Sequence, residues 1–295
     1  MNNGTYENVS IATLRKRKKA AQKIPVLTCY DSTTAAILYE SGVDVLLVVD
    51  SDGQVVLGFD STLPVTMDMM VTVCGAVRRG APQAFLIGDM PYLSYQVNKE
   101  EAVRNAGRLL IEGGCNCVKI EVNRQLADVV EALARASIPV MAHLGLRPQS
   151  IQEIGSYKIQ GRDADAAVRL IEDARIMEQA GAIALLLEAV TPEPARIITQ
   201  NTPLPVIGCG AGPYCDGHVL VLQDMLGWLA GKGPKFAKRY GDLRAALGGA
   251  AKDYAQEVRD GVYPAPEHCY EMLPEEAERL AAALRTRGGK SVDKP

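Results

Sequence analysis

Short apolar runs alternate with longer stretches of helical spacing through most of the chain. The runs cover residues 25–29, 43–49, 84–87, 117–120, 138–142, 183–187, 205–207 and, more weakly, 219–222. They are continuous rather than alternating, as parallel strands buried on both faces are. Between them, Asn98 opens a helix with Glu101 three residues on, a capping-box pattern. Ala102, Ala106, Leu109 and Leu110 form its apolar face, and Gly113-Gly114 stops it. Residues 163–180 repeat the design with Ala166, Leu170, Ala174 and Met177 on one face and Gly181 at the end. A third helix over 124–136 leads directly into the run at 138–142. Eight such strand–helix pairs predict an α/β chain folded as a (β/α)8 TIM barrel, a fold of roughly 250 residues. An open doubly wound sheet is the alternative, since periodicity does not separate closed from open sheets. No dinucleotide fingerprint follows the first strand, where Thr28-Cys29-Tyr30-Asp31 stands. The glycines at 208, 210 and 212 come late and lack the GxGxxG spacing. The barrel is therefore the expected fold.

The expected organisation is a leading helix in residues 1–23, a catalytic barrel over 24–270, and a C-terminal helix (274–285) with a loose tail in 271–295. No second domain is expected. The basic run Arg15-Lys16-Arg17-Lys18-Lys19 reads as the solvated face of the leading helix. Composition changes this picture little. With 295 residues, 47% of them hydrophobic, the chain can bury a large core, and a net charge of −3 gives no basic excess for nucleic acid or a membrane surface. The apolar runs are too short to span a bilayer, and the opening residues lack the pattern of a secretory leader. Seven scattered cysteines without a CxxC pair point to reduced thiols and a cytoplasmic location.

In a barrel, chemistry gathers at the carboxyl ends of the strands. The residues following the runs are Asp31, Asp50-Ser51, Asp89, Lys119 with Glu121, His143, Glu188 and the 208–212 loop. Asp50, Asp89 and Glu121 form an oxygen-rich set suited to Mg²⁺, although each could instead cap a helix or pair with a cation. Lys119 shares a strand face with Glu121. It is read as the cation for a substrate carboxylate, with a Schiff base or a plain Lys119–Glu121 salt bridge as alternatives. Glu188 emerges from an apolar strand, which suits a general base, against a salt bridge with Arg162. His143 is read as a donor to an anion or a loop-positioning residue, with a satisfied core histidine as the alternative.

At these residues the chain resembles the ketopantoate hydroxymethyltransferase family over about residues 10–270. The resemblance is carried by Thr28-Cys29-Tyr30-Asp31, Asp50-Ser51, Asp60-Ser61-Thr62-Leu63-Pro64-Val65-Thr66 and Gly88-Asp89-Met90-Pro91-Tyr92. It continues through Val118-Lys119-Ile120-Glu121, His143-Leu144-Gly145-Leu146-Arg147-Pro148-Gln149-Ser150, Tyr157-Lys158-Ile159-Gln160-Gly161-Arg162, Leu187-Glu188 and Pro234-Lys235-Phe236-Ala237-Lys238. It implies a barrel of the phosphoenolpyruvate mutase/isocitrate lyase type, assembled as a homodecamer. It also implies Mg²⁺, a small 2-oxo acid substrate, 5,10-methylenetetrahydrofolate as co-substrate, and a step of pantothenate biosynthesis. By motif match, Asp50 and Asp89 would bind the metal with Glu121 joining or supporting them. Ser51 and Lys119 would hold the 2-oxo acid, and Glu188 would be the base.

The sequence departs from the family pattern at three places near these residues. Val49 and Asp52 stand where glycine and leucine are usual, and Phe59 stands where histidine is usual. Transfer to 3-methyl-2-oxobutanoate is the leading expectation. The alternatives are a paralogue using another 2-oxo acid, a Mg²⁺-dependent lyase or aldolase without folate, and a non-catalytic assembly paralogue.

Overall fold

The computed structural model describes residues 8–286. Eight parallel strands close into a barrel in sequence order, β1 (Ile24–Thr28), β2 (Val45–Val48), β3 (Phe85–Asp89), β4 (Cys117–Glu121), β5 (Val140–Gly145), β6 (Ala184–Glu188), β7 (Val206–Cys209) and β8 (Gly217–Leu220), with β8 pairing back to β1. All eight expected strands form, and closure rules out the open sheet. Helices flank them as their caps dictate. Asn98 accepts from the Glu101 N–H to start Lys99–Ile111, and Asp163 accepts from the Ala166 N–H to start Ala164–Gln179. Asp31 does the same for Ser32–Glu40, so this acid at the end of β1 is a helix cap.

The continuous apolar runs resolve into two cores by alternation. Leu46, Val48, Leu86, Val118, Ile120, Leu185 and Leu187 face outward against the helices. Val45, Leu47, Phe85, Ile87, Cys117, Met141, Ala184 and Leu186 fill the barrel interior. Val9 and Leu14 join that interior cluster, so the leading helix Ile11–Lys19 plugs the amino-terminal end. Its basic run is therefore not wholly solvated, since Arg17 pairs with Asp44 and Lys18 with Asp216 at 2.7 Å, both partly buried.

The chain divides into two compact units, Met1–Asp242 and Leu243–Pro295. The first holds the barrel. In the second, helix Leu243–Asp260 buries no residue, and helix Pro274–Thr286 carries Glu275 and Glu276 in its first turn. The expected loose tail falls outside the described residues from 287 onward.

Candidate active site

Strand parity sets the site. Phe85 and Ile87 point inward on β3, so Asp89 does too. The same alternation turns Lys119 and Glu121 of β4, His143 of β5 and Glu188 of β6 inward at the carboxyl-terminal end. Register then makes neighbours of residues remote in sequence. Asp89 lies opposite Lys119, Glu121 opposite His143, and Glu188 opposite Gly145. Gly145 is required there. Its φ is +98°, and a Cβ would stand 2.3 Å from the Glu188 carbonyl oxygen.

The contacts form one network. Lys119 Nζ lies 2.6 Å from Asp89 Oδ1, with both side chains buried. The pair found is thus Lys119–Asp89 rather than Lys119–Glu121. The Asp50 N–H donates to the other Asp89 oxygen at 3.2 Å. Lys119 Nζ also stands 3.4 Å from His143 Nδ1. An ammonium only donates, so Nδ1 accepts and the imidazole proton sits on Nε2. Nε2 faces Glu188 Oε2 at 3.3 Å, close but not aligned as a hydrogen bond. Glu188 thus neighbours His143, not Arg162. Its side chain keeps 21% exposure, so it sits at the cavity wall rather than sealed in the apolar strand. The residue after it, Ala189, has a φ of +48°, a left-handed conformation that non-glycine residues rarely adopt.

A residue without charge ties the acids together. The Gln149 side chain donates to Asp50 Oδ2 at 2.9 Å and to the Met90 carbonyl at 3.0 Å, and its backbone N–H donates to Glu121 Oε2 at 3.0 Å. The Tyr95 hydroxyl donates to Gln149 Oε1 at 2.8 Å. The Tyr30 hydroxyl lies 2.9 Å from Ser51 Oγ. Searching strand ends for ionisable groups passed over Gln149, Tyr95 and Tyr30. Gln149 lies in the motif after β5, and that position was its only signal.

Electrostatics follow from burial. Burial pushes Asp89 up to about 7, with Lys119 pulling it back and Asp50 adding to the rise. Burial likewise raises Glu121 well above the usual carboxylate range against the pull of Lys119. For Lys119, burial alone would lower the amine, but the carboxylates of Asp89, Glu121 and Asp50 outweigh it and raise it. A permanently protonated amine suits an anion-holding cation and not a Schiff base. Burial, then Lys119, lowers His143, so its ring is neutral at pH 7.

Asp50, Ser51, Lys119, Glu121, His143 and Glu188 line one cavity of about 910 Å³ in the barrel unit, near the upper end for ligand sites. Asp89 is fully buried and meets that space through Lys119 and Asp50. Among the described residues, no three His, Cys, Asp or Glu side chains form a ready metal cage, so the expected trio Asp50, Asp89 and Glu121 is not preassembled. Magnesium needs only one or two carboxylates beside water and substrate oxygens. Among the described residues one Asp50 oxygen has no hydrogen bond, whereas Asp89 Oδ1 faces the Lys119 ammonium at 2.6 Å. This hard-oxygen pair fits the ion.

The sequence departures are accounted for in part. Val49 is buried and lines the cavity, and Phe59 packs on the outer core. Asp52 is buried, and its Oδ1 has no hydrogen-bond partner among the described residues.

A closed parallel barrel with polar groups converging at the carboxyl-terminal mouth defines an enzyme architecture. Solved structures similar in fold include phosphoenolpyruvate phosphomutase from Streptomyces platensis subsp. rosaceus, with a TM-score of 0.59 at 15% identity covering 95% of this chain and 96% of that one. They also include 2,3-dimethylmalate lyase, a member of the PEP mutase/isocitrate lyase superfamily, with a TM-score of 0.56 at 18% identity covering 95% and 98%. The fold is therefore a (β/α)8 barrel of that type. The ketopantoate hydroxymethyltransferase family model matches residues 8–266, and the chain belongs to this family. The 3-methyl-2-oxobutanoate hydroxymethyltransferase of Syntrophomonas wolfei is 47% identical over 272 residues, covering 92% of this chain and 99% of its own.

Proposed function

We propose that this enzyme transfers a hydroxymethyl group from 5,10-methylenetetrahydrofolate to 3-methyl-2-oxobutanoate, forming ketopantoate for pantothenate biosynthesis. The observation that carries the reading is the meeting of Glu188, His143, Lys119 and Asp50 on one cavity, with a neutral imidazole beside Glu188. Asp50 and Asp89 would hold Mg²⁺, with Glu121 supporting them through Gln149. When bound, that ion supplies Lewis-acid polarisation of the keto group.

Lys119 and Ser51 hold the substrate carboxylate, which fixes C3 toward Glu188. The Glu188 carboxylate takes the C3 proton, with the neutral His143 ring 3.3 Å from its Oε2. The C3–H electron pair passes into the enolate. Water adds to the folate methylene carbon and both its C–N bonds break, the two water protons going to N5 and N10, so that tetrahydrofolate leaves and the carbon remains as formaldehyde. The enolate carbon forms the new C–C bond to it, and the alkoxide takes the proton back from Glu188. Holding both partners in one cavity supplies the orientation that the bond-forming step needs. The reading extends to a homodecamer in the cytoplasm, which the seven free thiols suit.

The test is exchange of the C3 proton in D₂O, followed by NMR with Mg²⁺ and 3-methyl-2-oxobutanoate, before and after adding the folate. Exchange without folate and product with it are expected from the wild type. Glu188→Gln is expected to slow exchange by at least a factor of about 10² while Mg²⁺ affinity is kept. Wild-type exchange in that variant would remove Glu188 from the base role.

A further inference from the structure

The cavity floor has two halves of different chemistry. Lys119, Glu121, His143 and Glu188 rise from β4, β5 and β6 on one side. Leu47 and Val219, from β2 and β8, make the other side apolar together with Val49. With eight strands closed in sequence order, β2 stands four places from β6 in either direction, so these two strands face each other across the barrel axis.

Val49 takes no part in the chemistry above. It continues the inward parity of Val45 and Leu47 just past the end of β2, immediately before Asp50, and lines the cavity with 8% exposure. A turn fixes its backbone. The Val49 carbonyl accepts from the Asp52 N–H at 3.0 Å, and the Asp50 carbonyl accepts from the Gly53 N–H at 3.0 Å. A β-branched side chain on a fixed backbone has little rotamer freedom. Val49 is thus a stiff wall that does not swing aside.

The reaction decides which part of the substrate meets that wall. The carboxylate is held at Lys119 and Ser51, and C3 turns its hydrogen toward Glu188 on β6. On a tetrahedral carbon the remaining groups point away from the C–H bond. The two carbon substituents of C3 are therefore directed across the axis, toward β2.

Resting on the base reading above, we infer that Val49 sets the upper size of the groups carried on C3 of the 2-oxo acid. The enzyme accepts two methyl groups there and discriminates against an ethyl group. One methylene too many against an apolar wall that cannot yield lowers kcat/KM by about 10- to 200-fold.

The experiment uses the full chain with Mg²⁺ and no folate, and follows C3 proton exchange in D₂O by NMR. It compares 3-methyl-2-oxobutanoate with racemic 3-methyl-2-oxopentanoate, which differ by one methylene on C3. Initial rates at subsaturating acid are divided by the enzyme-free rate of the same acid, which removes intrinsic acidity from the comparison. The wild type is expected to exchange the smaller acid at least about tenfold faster. The ratio is expected to approach one in Val49→Ala and Val49→Gly, and to be retained in Val49→Thr, whose side chain has nearly the same shape. A purely structural role for Val49 would slow both acids alike and leave the ratio unmoved. Each ratio is read within one preparation, so partial misfolding does not alter it. A wild-type ratio near one, or a wild-type ratio retained in the alanine and glycine variants, overturns the inference. Absence of exchange for both acids in the wild type is a different outcome, which fells the base reading and this inference with it.

Discussion

Asp52 offers the sharpest test of the electrostatic reasoning. Its carboxyl is buried, with Oδ1 unpartnered among the described residues, and burial raises it from 3.8 to about 6. The folded state thus binds a proton more readily than the unfolded chain, so stability falls as pH rises from the lower value through the higher. Above the folded value the whole penalty is present, about 3 kcal/mol at 1.36 kcal/mol per unit. Asp52→Asn removes the charge at nearly constant shape, and the difference between variant and wild type isolates this group from Asp89 and Glu121. That difference should widen by about 1.3 kcal/mol between pH 5 and pH 7 and flatten above. Because the amide is also unpaired, a constant offset is expected beneath the slope. Urea unfolding across pH, with EDTA present throughout, measures it. At pH 7 the full charge penalty corresponds to a Tm gain of roughly 6–12 °C for a barrel of this size. Parallel stability curves for the two proteins would refute a buried, charged Asp52.

The remaining predictions concern the cavity floor. Lys119→Met leaves Asp89 buried and unpaired, and should cost about 3–5 kcal/mol in chemical denaturation and abolish substrate binding in calorimetry. Gln149→Leu strips Asp50 of its side-chain donor, so Mg²⁺ affinity measured by calorimetry should fall about tenfold or more. Gly145→Ala drives a Cβ against the Glu188 carbonyl at a positive φ and should lower both Tm and C3 exchange, by more than about 2 kcal/mol in stability. An unchanged Tm would show that β5 and β6 separate easily at this point.

Much of the site was legible because a barrel converts sequence position into spatial position. Eight apolar runs locate eight strands, and the first ionisable residue at the end of each, as at Asp50, Asp89, Lys119, His143 and Glu188, marks the mouth. The same logic misplaced Asp31, whose short side chain is spent on capping its own helix. It also passed over Gln149, because an uncharged side chain in a loop has no periodic signal.

What the sequence alone determined is the order of elements and the parity that sends Asp89, Lys119, Glu121, His143 and Glu188 inward, since both are local properties of a chain with a two-residue strand repeat. Only the tertiary structure decided which of these groups pair. Interstrand register sets Asp89 rather than Glu121 against Lys119, and the β5–β6 contact at Gly145 brings Glu188 to His143. Pairing depends on strand stagger and closure of the whole barrel, which no single segment encodes.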